Sequence, residues 1–234
     1  PAVVELGGSA PGIIFEDANL DECVAAVAGE RLYNCGQVCD GLKRLIVQED
    51  IADGVIDQLR ESFENKKVGD ALDPETEIGP LVAKRQLGVL EEQVADAIEK
   101  GAEIVTGGQN LEAELGGAFY QPTVLKGVTN EMRVWKEEVF GPVLPIMTFD
   151  SEDEAVELAN DTDYGLGSYI YTEDIDRAER VAEQLEAGMV SVNGTSYVRP
   201  MNPFGGYKAS GIGREHGRFG FEELTQAKVI SRPK

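Results

Sequence analysis

Cys39 closes the segment Tyr33-Asn34-Cys35-Gly36-Gln37-Val38-Cys39, the stretch of the chain best suited to covalent chemistry. The helical pattern before it stops at Gly36, which predicts a turn that carries Cys39 into a cleft. A thiol needs such a place to ionise and attack, because apolar surroundings raise its pKa. A cysteine is as readily a small buried hydrophobe, and that reading suits Cys23 and Cys35, both on or beside an apolar helix face. A second candidate is Glu5, in Val4-Glu5-Leu6-Gly7-Gly8. A carboxylate between strand-like apolar residues, followed by a Gly-Gly turn, is poorly placed for a surface ion pair. Partial burial raises its pKa and makes it a possible general base; without a partner it is a charged edge residue. The third cluster is Glu137-Glu138-Val139-Phe140-Gly141-Pro142. It can present an acid and a ring to a polyol ligand, and it can equally be a solvated acidic turn.

The elements that must position these groups alternate along the chain. Asn19 with Glu22 marks a helix start, and the helix carries Cys23, Val24, Val27 and Arg31. Arg44 to Val47 reads as a buried strand. Ile51, Val55, Leu59 and Phe63 form one helical stripe, and Leu87, Leu90, Val94 and Ile98 another that Gly101 stops. Strands follow at Glu103–Thr106, Gln121–Leu125 and Leu144–Phe149, then a helix from Ser151. A strand near Ser168–Tyr171, a helix with Ala178, Val181 and Leu185 inward, and a strand Met189–Val192 complete the series. Beyond lies a Gly-rich stretch, 203–220, and a last strand near Lys228–Ser231. Alternation of this kind predicts an α/β domain, a mainly parallel sheet covered on both faces. The final strand has few apolar neighbours in sequence and is expected to join another domain or subunit.

Composition narrows the partners. The chain has 234 residues, 43 acidic and 21 basic, for a net charge of −22. Such a field repels nucleic-acid phosphates and anionic lipid, so neither is expected as a partner. The longest apolar runs fall far short of a bilayer span. Three cysteines make neither an even disulfide set nor a metal knuckle, and His216 is the single histidine, so no metal site is expected. No charged-then-apolar leader opens the chain; with reduced thiols, a cytoplasmic protein is expected. The start at Pro1, running straight into Ala2-Val3-Val4, reads as a fragment entered partway along a strand, natural processing being the other reading.

Taken together, these segments resemble the aldehyde dehydrogenase superfamily. Val4-Glu5-Leu6-Gly7-Gly8 is similar to its glutamate signature, and Gly36-Gln37-Val38-Cys39 to its cysteine signature. Glu138-Val139-Phe140-Gly141-Pro142 is similar to its nicotinamide-ribose motif. The likeness continues through Asn160-Asp161-Thr162-Asp163-Tyr164-Gly165-Leu166 and Pro203-Phe204-Gly205-Gly206-Tyr207-Lys208 to Ser210-Gly211-Ile212-Gly213-Arg214-Glu215, in the family's order. The resemblance implies a three-layer α/β sandwich of the family's catalytic-domain type. Residues 1–200 would form that domain, and 201–234 a C-terminal segment touching the cofactor domain and other subunits. It also implies oxidation of an aldehyde with NAD or NADP, in a homo-oligomer.

In that reading Cys39 attacks the aldehyde to give a thiohemiacetal and then a thioester, which water activated by Glu5 hydrolyses. The Cys39 N–H would donate to the oxyanion. Glu138 would hold the nicotinamide-ribose hydroxyls with Phe140 beside the ring, and Gln86 falls where a further ribose contact can lie. Phe204 would line the aldehyde pocket, near the 195–202 loop with Tyr197 and Arg199. Two residues depart from the pattern: Ser9 stands where lysine is frequent, and Asp40 where a small or apolar residue is usual. An inward Asp40 would raise the Cys39 pKa.

No Gly-x-Gly-x-x-Gly fingerprint is present, Gly211-Ile212-Gly213 lacking the third glycine. The resemblance places the dinucleotide-binding domain in an N-terminal half absent from this chain, so the chain alone is expected to be inactive. Two other function classes stay open at this point: a cysteine hydrolase using Cys39 and His216, and a non-catalytic fold or oligomerisation module. A CoA-acylating variant would pass the thioester to CoA, but Glu5 favours hydrolysis. Finally, the scattered acids suit adaptation to high salt, where screening suppresses self-repulsion. The other reading is an acidic protein of ordinary habitat; a melting temperature that did not rise between dilute buffer and molar KCl would rule out the high-salt reading.

Overall fold

The structure, a computed structural model, describes residues 2–233. A short strand, β1 (Val4–Glu5), precedes β2 (Ala10–Ile14). Asn19 caps α1 (Leu20–Leu32), its side chain accepting the Glu22 N–H. A left-handed turn over Tyr33–Gly36 leads to β3 (Leu42–Gln48). Then come α2 (Ala52–Glu64), α3 (Lys84–Glu99), β4 (Glu103–Thr106), α4 (Glu112–Leu115) and β5 (Thr123–Lys126). The chain continues through α5 (Arg133–Lys136), β6 (Val143–Phe149) and α6 (Glu152–Asn160), capped by Ser151. The remaining elements are β7 (Tyr164–Gly165), β8 (Gly167–Tyr171), α7 (Ile175–Gln184), β9 (Met189–Val192), β10 (Tyr207–Lys208), β11 (Gly211–Ile212) and α8 (Gly217–Leu224).

Seven strands form one sheet in the order β4-β5-β6-β3-β2-β8-β9, parallel throughout except at the β4–β5 edge. The chain reaches β3 from β2 through α1, and reaches β9 from β8 through α7, moving in opposite directions across the sheet. Right-handed crossovers therefore put α1 and α7 on opposite faces. α2 packs with α1, and α6 with α7, giving the expected layers. Covered on both sides, the central strands are apolar without alternation: Ile13, Ile14, Leu45, Ile46 and Val47 are fully buried.

The helical stripes pack as their spacing predicts, with one exception. Leu87, Leu90 and Val94 are buried, but Ala97 completes the stripe and Ile98 is 39% exposed. At 3.6 residues per turn, a third step of four overshoots the face. The Gly-rich stretch holds more order than its composition suggests. β10 pairs antiparallel with β7, β11 with β1, and α8 follows. The expected strand at Lys228–Ser231 is not formed: among the described residues it pairs with nothing, and Val229 and Ile230 are exposed. A strand exists only with a neighbour to share its ladder, and this chain offers none there.

Two buried guanidiniums fix the loops that lead into the sheet. Arg44 donates to the carbonyls of Ser9, Leu158, Ala159 and Asp161, satisfying the last turn of α6, and stacks on Trp135. Arg31, 1% exposed, donates to Gly36, Leu42, Val139 and Gly141, leaving only its Nε without an acceptor. It thereby ties the end of α1 to the start of β3 and to the loop before β6. Replacing Arg31 with Met takes a buried donor from each of those carbonyls, of which Gly141 keeps the Val143 N–H. Urea unfolding is expected to show a loss of about 3 kcal/mol or more; a loss under about 1 kcal/mol would mean the carbonyls find other partners.

Candidate active site

The residues with chemistry gather at the amino ends of the parallel strands. Gly7 and Gly8 precede β2, Cys39 precedes β3, Glu138 to Gly141 precede β6, and Tyr164 to Leu166 lead into β8. Parallel register brings these lead-in loops together along one edge of the sheet. Their approach is close: a β-carbon at Gly8 would collide with the Cys39 carbonyl oxygen. Gly-Gly at this position is thus what lets the loop before β2 lie against the nucleophile's turn.

The turn before Cys39 is strained and held. Asn34, Cys35 and Gly36 have φ of 51°, 57° and 72°, a left-handed run that costs non-glycine residues about 1–3 kcal/mol each. Arg31 bonds the Gly36 carbonyl, and Gln37 reaches across to the Pro80 carbonyl and the Val82 N–H. Of the three cysteines, Cys23 and Cys35 are buried and Cys39 is half-buried. Burial pushes the thiols of Cys23 and Cys35 up to about 11 and about 12. Cys39 is raised too, by burial first and then by Asp40, whose carboxylate oxygen lies 3.7 Å from the sulfur; the Lys43 ammonium opposes both. The Asp40 side chain does face the thiol. Its carbonyl is fixed from behind by Tyr169 and Tyr197, whose hydroxyls each lie 3.0 Å from it and 2.7 Å from one another. Tyr197 therefore braces the Cys39 turn, while Arg199 is exposed and its side chain bonds, among the described residues, the nearby Ser196 carbonyl.

The two adjacent acids have different environments. Glu137 faces outward to Arg133, whose hydrogen bonds hold its pKa down. Glu138 turns inward, and its Oε1 accepts the Gly8 N–H at 3.2 Å and Lys43 Nζ at 2.6 Å. Gln93, buried on α3, donates to the Glu138 carbonyl and fixes the backbone there. Phe140 is half-buried, its ring centre 5.5 Å from Lys43 Nζ. Cys39, Glu138 and Phe140 thus meet around Lys43. Gln86, on α3, makes no side-chain hydrogen bond among the described residues.

Glu5 lies on the neighbouring side, on β1. Both carboxylate oxygens are buried with no hydrogen-bond partner. Burial raises its pKa, Glu215 and Asp40 adding to the shift and Arg214 and His216 opposing it. Phe204 bridges Glu215 by backbone hydrogen bonds, and its ring lies 5.6 Å from that of His216. Gly205, next to Phe204, packs against a Glu5 oxygen. His216 starts α8 beside Glu5, and among the described residues no hydrogen bond joins it to Cys39. That arrangement lacks the thiol–imidazole contact a cysteine hydrolase requires.

A sequence model described as the aldehyde dehydrogenase family matches residues 1–230. The chain belongs to the aldehyde dehydrogenase family. It is 46% identical over 228 residues to succinate-semialdehyde dehydrogenase (NADP+) of Deinococcus radiodurans, covering 97% of this chain and 47% of that protein. With the 3-sulfolactaldehyde dehydrogenase of Pseudomonas putida it shares 43% identity over 227 residues, 97% of this chain and 46% of the relative. The solved structure of betaine aldehyde dehydrogenase from Staphylococcus aureus in complex with NAD+ superposes with a TM-score of 0.90. That match has 38% identity and covers 94% of this chain and 44% of the other. All three are aldehyde dehydrogenases by name, one named for NADP+ and one solved with NAD+, and the chain spans about half their length. No helix among the described residues is long and apolar enough to cross a membrane.

Three residues that hold this site lie outside the motifs of this aldehyde dehydrogenase chain: Arg31, Lys43 and Gln93. A cation inside an otherwise apolar strand, as in Leu42-Lys43-Arg44-Leu45, was the available signal. The Asp40 carboxylate predicts a measurable effect. Asp40→Asn removes the charge that raises Cys39, so the pH profile of thiol alkylation should move to lower pH by about half a unit or more. An unmoved profile would show that solvent screens the carboxylate from the sulfur.

Proposed function

We propose that the chain is the catalytic half of an NAD(P)-dependent aldehyde dehydrogenase, with Cys39 as nucleophile and Glu5 as general base. The observation that carries this reading is the shared edge. It holds the least buried thiol, an inward carboxylate beside an aromatic ring, and a second carboxylate without any partner. The residues fit the ribose end of a dinucleotide: Glu138 Oε2 has no protein partner, lies against glycine, and stands beside the Phe140 ring. When bound, NAD(P)+ would supply the hydride acceptor.

The thiolate of Cys39 adds to the aldehyde carbon, forming the C–S bond and an oxyanion. The Cys39 N–H is the donor on this chain that would steady that charge. Loss of hydride with its electron pair from the same carbon leaves a thioester on Sγ. Glu5 then takes a proton from water, the hydroxide adds to the acyl carbon, and the C–S bond breaks to return the thiolate and release the acid. A raised pKa suits Glu5 to this work, since a stronger base accepts the proton more readily. The sign follows: hydrolysis falls as pH drops below that raised value, where the carboxyl is protonated. Phe204, next to Glu5 and half-buried, is placed to meet the apolar part of the aldehyde.

Residues 1–200 would then form the catalytic domain, with 201–234 reaching out to a cofactor-binding half and to other subunits. The exposed apolar side chains of Val4, Leu6, Ile212, Phe221, Leu224, Val229 and Ile230 support that division. Succinate semialdehyde, 3-sulfolactaldehyde and betaine aldehyde, named in the relatives, form the first substrate panel with both NAD+ and NADP+. In the chain joined to its cofactor-binding half, Cys39→Ala should abolish oxidation of every panel member. Glu5→Gln should keep a burst of about one reduced cofactor per site while steady turnover falls roughly 100- to 10,000-fold. Wild-type turnover in Glu5→Gln would remove Glu5 from the mechanism.

A further inference from the structure

A lysine is almost never fully buried unless paired, and Lys43 is 1% exposed at the amino end of β3. Two hydrogen bonds and an aromatic ring surround its ammonium. Nζ lies 2.8 Å from the Cys39 carbonyl oxygen and 2.6 Å from Glu138 Oε1, with the Phe140 ring on the remaining side at 5.5 Å. Glu138 Oε1 also accepts the Gly8 N–H, so that oxygen is fully engaged. The other oxygen, Oε2, has no hydrogen-bond partner among the described residues and lies over Gly7. One ammonium therefore anchors half of the carboxylate, leaves the other half on offer, and holds the peptide of the nucleophile.

We propose that Lys43 is a positioning residue, its ammonium locking the Cys39 turn to Glu138 so that Oε2 meets the ribose hydroxyls of NAD(P). The proposal rests on the reading of Glu138 as the ribose-holding carboxylate. The groups facing Cys39 are Asp40 on its own turn, Lys43 on β3 and Tyr197 from the loop after β9, with Glu138 from the loop before β6 joined to Lys43. Glu30 and Arg31 of α1 lie behind Asp40 and Lys43. Among them Lys43 is the cation that acts on the sulfur, offsetting Asp40. Burial pulls the Lys43 ammonium down to about 8, Glu138 opposing, so its effect on the thiol weakens as pH rises past that value.

The test uses the chain joined to its cofactor-binding half, with NAD(P)+ affinity measured by calorimetry and Cys39 reactivity by iodoacetamide at a series of pH values. Lys43→Met should weaken NAD(P)+ binding about 5- to 20-fold and move the alkylation midpoint up by about half to one pH unit. Lys43→Arg, which keeps the charge, should restore most of the alkylation profile. Glu138→Gln separates the two readings. If it leaves NAD(P)+ affinity unchanged, the ribose role of Glu138 is wrong. If it weakens binding while Lys43→Met does not, Lys43 has no part in positioning it. Should Lys43→Met fail to fold, Lys43→Met combined with Glu138→Gln buries no lone charge and carries the test. Its NAD(P)+ affinity should equal that of Glu138→Gln alone, because an effect acting through Glu138 cannot be lost twice. A further loss would overturn the proposal.

Discussion

Arg31 is the constraint on which the active edge depends. The end of α1, the start of β3 and the loop before β6 each turn backbone carbonyls into the interior, where no strand or helix can satisfy them. A planar guanidinium has the reach and the number of donors to serve all three segments at once. It also accounts for the tolerance of a left-handed turn at Asn34, Cys35 and Gly36. Strain there is offset by a bond to Gly36, and the outcome is that Cys39 and Glu138 enter the same edge from loops far apart in sequence.

That edge is unusual for an open α/β sheet, in which ligands mostly bind outside the carboxyl ends of the strands. Here the lead-in loops do the work, and glycines at positions 7 and 8 let them touch. The electrostatics follow from the same crowding. Burial raises both the Cys39 thiol and the Glu5 carboxyl. Asp40 adds to the shift at the thiol, and Lys43 works against it from within the strand. Burial first, and then one acid and one ammonium, set the state of the sulfur.

Beside Glu5 the surface is apolar. β1 and β11 form a narrow ribbon with Val4, Leu6 and Ile212 exposed, and α8 lines an apolar groove of about 460 Å³ with Phe221 and Leu224. The chain spans about half the length of the relatives it matches.

Sequence alone determined most elements of the sheet and the chemistry-bearing segments, but not the central strand β2. Local signals suffice for the rest: the apolar run at Leu45–Val47, the stripe through Val55, Leu59 and Phe63, and the caps at Asn19 and Ser151 are short-range patterns. The motifs around Glu5, Cys39 and Glu138 likewise identified the family. Tertiary structure decided the rest. It chose between Glu137 and Glu138 by placing Arg133 outside and Lys43 inside. It aimed Asp40 at the thiol, because Tyr169 and Tyr197 hold the other side of that residue. It also turned a Gly-rich stretch into two strands by supplying β1 and β7 as partners, and left Lys228–Ser231 without one. Apart from the Arg133–Glu137 pair, four residues apart, these contacts join residues more than 20 positions apart, and no local pattern encodes such a meeting.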